Sequence, residues 1–348
     1  MSIASSAEPV DRTIRRRRRL TLLAVLTVIA APAAAGVITV RDTDPVILEL
    51  PPVDLPAGAL HDAIPQPPPL ATTLPRSGWI RGFTLSIEDA GGRPVPQVVI
   101  HHVKLLTPDR RDLFSPAMRH LLAAGSETQP LMLPALFGYR VEAGDSVLLS
   151  GMVHNPTDTS WKGVRIRLHV QYTADQEWPE PVHVLPFFMH VTEPGMPSHY
   201  DLPPGPSQRS WDLRPAIPGR ILGVGGHIHR YGTRLRIEDV TSGDVIWDAT
   251  VKRDANGNVV DVPRSYFILR TGVPIHPDRV YRVTAYYDNP TNDTLREGGM
   301  GAVAGIFLPD GDAAYPAIDR TDPVYLRQAA SEYGEWWPGA DSAAHHHH

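Results

Sequence analysis

Trp161-Lys-Gly-Val-Arg-Ile-Arg-Leu-His-Val-Gln-Tyr-Thr173 sets Val164, Ile166, Leu168, Val170 and Tyr172 against Arg165, Arg167, His169 and Gln171. Successive side chains of an extended chain point to opposite faces, so this period of two predicts a strand with one buried and one solvated face. Val147 to His154, Arg234 to Glu238 and Arg279 to Asp288 read the same way, with Gly, Pro, Asn and Asp between the segments. Helix-period runs are few, the best being Ser115 to Ala124. Many short strands with regular turn signals predict an all-β fold of antiparallel sandwiches.

Composition agrees. The 348 residues are 42% apolar and 20% charged, which excludes wholesale disorder and supplies core for roughly two domains. Proline, at 36 residues, is well above its usual share, and no Gly-X-Y period accompanies it. The net charge of -5 is uneven: residues 1 to 35 hold six Arg (Arg12 and Arg15 to Arg19) against Glu8 and Asp11, leaving 27 basic and 36 acidic side chains elsewhere. An acidic body lacks the electrostatic footprint of phosphate-backbone binding, which sets nucleic acid aside. The absence of Cys removes disulfides, thiolate metal sites and Cys nucleophiles together. A metal ion would have to be held by His, Met or carboxylate.

Leu20 to Val40 carries no charge and, at about 1.5 Å per residue, is long enough to span a bilayer core. The Arg run before it predicts a cytoplasmic N-terminus and an extracytoplasmic body. Ala33, Ala34 and Ala35 also form a small-residue cleavage site, so the segment reads equally as a transmembrane anchor or as a signal peptide cleaved near Ala35. The Arg run also admits a twin-arginine reading, which five consecutive arginines make unspecific. The prolines from Pro45 to Pro75 predict an extended spacer. The terminal Ala343-Ala-His-His-His-His348 is set aside as a His-rich tail or an expression scar.

Two turns repeat: His154-Asn-Pro-Thr-Asp-Thr and Asp288-Asn-Pro-Thr-Asn-Asp-Thr, each ending a strand and each following a His pair. Two related sandwiches explain this most simply. The expected layout is a basic N-terminus at 1–19, the membrane or signal segment at 20–40, a Pro-rich linker at 41–76, one sandwich at 77–192, a second at 193–322 and a tail at 323–348.

His227 and His229 stand at i and i+2 in Gly225-Gly-His-Ile-His-Arg-Tyr-Gly232, so on a strand both imidazoles project from one face and can meet one ion. His101 and His102 are adjacent, and ligation of one ion by both requires a bulge or local twist. Met300, in Arg296-Glu-Gly-Gly-Met-Gly-Ala-Val-Ala-Gly305, adds a thioether; beside two imidazoles that suits copper cycling through Cu(I) rather than zinc, calcium or magnesium. Gly226-His-Ile-His229 matches one element of the calcineurin-like phosphoesterases, but their Gly-Asn-His element is missing; the glutamate expected after the cupin His pair is missing too. His61, His120, His169, His183, His190, His199 and His276 are assigned by default to surface or satisfied-core positions.

In order, His101-His102-Val-Lys-Leu-Leu, Met152-Val-His154-Asn-Pro, Gly226-His-Ile-His229 and Met300 in a Gly-rich strand resemble the copper type II ascorbate-dependent monooxygenases, the family of the peptidylglycine- and dopamine-hydroxylating enzymes. The likeness spans about residues 78 to 310. It implies two tandem jelly-roll sandwiches with two mononuclear coppers facing each other across a solvent-filled cleft. His101, His102 and His154 would hold the electron-storing copper, with Met152 as the alternative third ligand, since strict alignment on Asn-Pro places Met152 there. His227, His229 and Met300 would hold the copper that binds dioxygen, with ascorbate or another one-electron reductant as co-substrate. The family's disulfides are missing here. So are the Arg and polar residues that anchor a peptide carboxylate, replaced by Gly225, Ala302 and Ala304, which implies a neutral small-molecule substrate contacted by Arg230 or Tyr231. The alternatives are a non-catalytic exported copper-handling protein, and a metal-free sandwich that binds carbohydrate or a partner.

Overall fold

The computed structural model describes residues 43–134, 136–175, 180–311 and 313–334, so the expected membrane segment and the terminal His run lie outside the described residues. Among the described residues no helix is long and apolar enough to cross a membrane. The fold is all-β, with sheets packed as sandwiches. Trp161–Thr173 is a strand as its alternation requires: Val164, Ile166, Leu168, Val170 and Tyr172 are almost fully buried. Its other face carries an ion-pair ladder, with Arg167 donating to Glu88 at 2.6 Å, and His169 lies 2.7 Å from Ser86 Oγ.

In the first half, one sheet runs in the order Thr43–Glu49, Trp161–Thr173, Gly78–Glu88, Phe137–Val141, and the facing sheet in the order Leu70–Thr73, Ser146–Val153, Ile100–Arg111, Met118–Ala124. In the second half, Leu185–His190, Gly301–Pro309 and Gly219–Ile228 repeat the start of the first order. Gly205–Leu213, Tyr281–Asn289, Gly232–Asp239 and Asp244–Thr250 repeat the second. The Asn-Pro-Thr turns make the same bonds in both halves. The Asn155 amide donates to Leu55 O, Pro56 O and Thr159 O while its oxygen accepts from Thr157 N and Oγ1. Asn289 does the same with Leu202 O, Pro203 O, Asp293 O and Thr291.

Four expectations are corrected. Residues 43–74 are not a spacer: Thr43–Glu49, Val53–Leu55 and Leu70–Thr73 pair into the sheets and bury Leu48, Leu50, Leu55 and Leu74. The prolines permit this because Pro45 falls at a register shift on an edge strand, where no ladder hydrogen bond is lost. The change of half falls between His183 and Leu185, not at 193, since Leu185–His190 pairs with Gly301–Pro309. Met118–Ala124 is a strand, not a helix, because pairing with Ile100–Arg111 outweighs the helix-forming Leu and Ala residues. The tail contains a helix, Pro323–Tyr333, capped by Asp322 and docked on the first half: Tyr325 and Ala329 pack with Leu106, Met118 and Leu148, and Glu332 binds Lys104 and Ser150.

The repeat also reassigns the His pairs. His101 and His102 open Ile100–Arg111, whose counterpart Gly232–Asp239 opens on Gly232; His227 and His229 lie at the end of Gly219–Ile228, whose counterpart ends on Glu88. The pairs therefore occupy different positions of the repeat, although their spacing from the turns is similar.

Candidate metal centre

The register shifts by one residue between Ile100 and His102, which pair with Val153 and Met152. This bulge at His101 turns both rings toward one region, with centroids 4.3 Å apart. His102 lies directly opposite Met152 in the ladder. In the second half, His227 pairs with Ala302, and the His229 N–H donates to Met300 O at 3.1 Å, which places Met300 opposite His229 on the same face. The Met300 backbone is held further by Tyr287, whose hydroxyl accepts from its N–H at 2.9 Å.

The halves bring these residues together. His102 Nε2 lies 3.2 Å from His227 Nε2 and 3.4 Å from His229 Nε2. Donor atoms of His101, His102, His199 and His229 all fall within 4.8 Å of one another. His154 is 5.1 Å from His101 between ring centroids, and His61 stacks on His101 at 5.2 Å. The expected cleft between the two donor sets is not what the structure shows: their nitrogens are in contact. His61 and His199, assigned by default to uninvolved positions, belong to the cluster. Only their separation in sequence hid them.

Two nitrogens here, His101 Nε2 and His199 Nε2, are buried without a hydrogen-bond partner, as is His190 Nε2 nearby. An unpaired buried nitrogen is costly, and a metal ion would satisfy it. Burial, then the neighbouring imidazoles, push His101, His102 and His229 far below the ordinary histidine range, and bring His199 to about 4 and His190 to about 3. The rings are thus neutral and able to ligate. His154 differs: its Nε2 donates to Val98 O at 2.8 Å, so only Nδ1 is free.

His227 is the exception in direction. Burial lowers its pKa, but Glu127, with Oε1 at 2.6 Å from Nδ1, outweighs that and raises it. Burial would raise Glu127, yet His227 holds it below its ordinary range. No motif marked Glu127 in the sequence.

An apolar cavity begins at His227. Alternation puts Gly223, Gly225 and His227 on one face, and their ladder partners Ile306, Ala304 and Ala302 beside them; all six line the cavity. Ile80, Phe83 and Leu131 of the first half form the opposite wall. Arg230 and Tyr231 are not part of it. Arg230 lies over the Tyr231 ring and donates to Asn256 O at 2.7 Å, beside a separate polar hollow. A cation does stand over Gly225, however: a Cβ there would meet Arg264 Cγ at 3.2 Å, while the guanidinium donates to Gln129 O at 2.8 Å and Pro130 O at 3.3 Å.

No family model matches the chain, and no curated protein matches it. Among solved structures it is similar to the major capsid protein P2 of bacteriophage PM2 (12% identity, 75% of this chain and 96% of that one, TM-score 0.33). It is also similar to PNGase F, a glycosylasparaginase from Flavobacterium meningosepticum (8% identity, 76% and 97%, TM-score 0.37). At these scores the likeness carries no argument about chemistry.

Proposed function

We propose that the chain is an exported copper monooxygenase of two tandem jelly-roll sandwiches, hydroxylating a C–H bond of a neutral apolar substrate with dioxygen and a one-electron reductant such as ascorbate. The observation that carries this is the meeting of seven imidazoles with the Met152 and Met300 segments beside an apolar cavity. One ion accepts four or five such donors, so the surplus favours two ions. Neutral imidazoles and Met thioethers suit a metal that visits both Cu(I) and Cu(II). Copper bound there would supply the one-electron chemistry that activates dioxygen.

The remaining roles fall to the chain itself. His227, His229 and Met300 hold one ion at the cavity's end, and the small side chains of Gly225, Ala302 and Ala304 leave room for substrate beside it. His101 and His102 hold the other ion, with the third place taken by His154, whose Nδ1 is left free by the Nε2–H bond to Val98 O, or by His199, whose Nε2 is unpartnered. The apolar walls exclude water and favour a neutral molecule, since a carboxylate there would lose hydration without a free partner: the one cation at hand, Arg264, is committed to two carbonyls.

The test uses protein lacking His345 to His348, which would bind copper themselves. Two coppers per chain are expected, with His154→Ala or His199→Ala losing close to one, whichever is the third ligand, and Met152→Leu losing none. Reductant-dependent oxygen uptake is then screened with neutral apolar compounds, phenethylamines and peptidylglycines. Copper without turnover would leave a copper-handling protein, and no copper at all would return the metal-free sandwich. Efficient turnover of a peptidylglycine would overturn the substrate assignment.

A further inference from the structure

The turn Gly125-Ser-Glu-Thr128 follows Met118–Ala124 in the first half, yet its acidic side chain serves a histidine of the second. The turn is closed locally: Gly125 N–H donates to Thr128 Oγ1 at 2.9 Å, and the Gln97 amide donates to Gly125 O at 3.1 Å and Thr128 O at 2.8 Å. Its fit against His227 is tight. A Cβ at Gly125 would lie 2.9 Å from both Nδ1 and Cε1 of His227 and 2.8 Å from Glu127 Oε2, so a side chain there would have to push the carboxylate or the ring aside. The Glu127 side chain is 5% exposed, and its Oε1 sits 2.6 Å from His227 Nδ1. The two Arg264 bonds to Gln129 and Pro130 pin the continuation of the same segment to the second half.

We infer that Glu127 is a positioning residue for the metal centre: its carboxylate fixes the hydrogen of His227 on Nδ1 and so aims the Nε2 lone pair across the junction, toward His102, where His227, His229 and Met300 hold their ion. This rests on the copper reading above. A carboxylate acceptor at Nδ1 demands a hydrogen there, which leaves Nε2 as the ligating atom and sets the plane of the ring. It also places a carboxylate in contact with a ring of the donor set, a negative charge beside that ligand. That charge favours Cu(II) over Cu(I) at the ion His227 holds. Because the turn belongs to one half and the ring to the other, the ligand geometry of the second half depends on the first.

The experiment compares wild type, Glu127→Gln, Glu127→Leu and Gly125→Ala, each without the terminal His run. Copper stoichiometry, Cu(II) and Cu(I) affinities by competition with chelators, and the Cu(II) electron paramagnetic resonance spectrum are measured. Glu127→Gln keeps an acceptor of the same shape and removes the charge. It is expected to retain both ions while weakening Cu(II) at one of them about 10- to 100-fold, with a smaller change for Cu(I). Glu127→Leu should weaken both oxidation states and alter the Cu(II) spectrum, and Gly125→Ala should alter that spectrum with no polar group removed. If Glu127→Leu fails to fold, the Gln variant decides. Cu(II) affinity within twofold of wild type in Glu127→Gln, with an unchanged spectrum, would overturn the role of Glu127 while leaving the copper reading standing; wild type taking up no copper would overturn both.

Discussion

Replacing Asn155 with Ala removes five hydrogen bonds from a residue with no exposed surface, three donated to Leu55, Pro56 and Thr159 carbonyls and two accepted from Thr157. At about 1 kcal/mol net per bond the ceiling is near 5 kcal/mol. Water reaching the exposed Thr159 carbonyl and Thr157 hydroxyl recovers part of it, so a loss of about 3 kcal/mol is expected. Asn289 is 1% exposed and makes the equivalent five bonds, so Asn289→Ala should cost the same to within about 1 kcal/mol. Asn155→Asp keeps shape and acceptor but points a carboxylate at three carbonyls. It should therefore be worse than Ala at pH 7, and recover as acid protonates it. Urea unfolding followed by tryptophan fluorescence measures all three variants. The reasoning fails if both Ala variants lie within about 1 kcal/mol of wild type, or if Asn155→Asp is as stable as wild type at pH 7.

Glu332→Ala should destabilise by about 2 kcal/mol, because the buried carboxylate that ties the C-terminal helix to Lys104 and Ser150 is lost; a thermal melt and faster proteolysis after Asp322 would report it. Asp239 offers a pH test. Burial would raise its carboxyl, but Arg279 and the N–H groups of Ser242 and Thr241 outweigh burial and hold it below the ordinary range. A depressed carboxyl contributes stability above its unfolded pKa of about 3.9 and loses it as pH falls through the folded value. Asp239→Asn should accordingly be less stable at pH 7 and show a shallower acid limb below about pH 4; an acid limb identical to wild type would contradict this.

The strands whose alternation is uninterrupted were legible in the sequence, Trp161–Thr173 above all, because one face meets core and the other meets solvent along its length. Thr43–Glu49 was not, since its Val46 and Leu48, followed by Leu50, alternate inside a proline-dense stretch and only the edge position of Pro45 makes a strand permissible. A signal did exist: Asp54-Leu55-Pro56 recurs as Asp201-Leu202-Pro203, and both copies receive the Asn-Pro-Thr amide. Reading that pair would have started the repeat before residue 54. At the site, the i, i+2 spacing of His227 and His229 and the requirement of a bulge at His101 were readable, as these are local geometry. His61, His199 and Glu127 were not: His61 reaches the cluster through the folding of the first half, and His199 and Glu127 through the packing of the halves.

The repeated strand order supplies the scaffold but not the site. Had each half carried its own copy, the histidines would sit at matching positions; instead one pair opens Ile100–Arg111 and the other lies at the end of Gly219–Ile228. They meet only because the halves are clasped, with His120 stacked on Phe188 at 4.1 Å, Phe188 N–H donating to Asp112 at 3.3 Å and Ala216 N–H donating to Leu113 O at 2.8 Å. The cavity follows the same logic, since its small-residue face belongs to the second half and its opposite wall to the first. A change that loosens the clasp therefore disturbs donor geometry and cavity shape together, even where it touches neither.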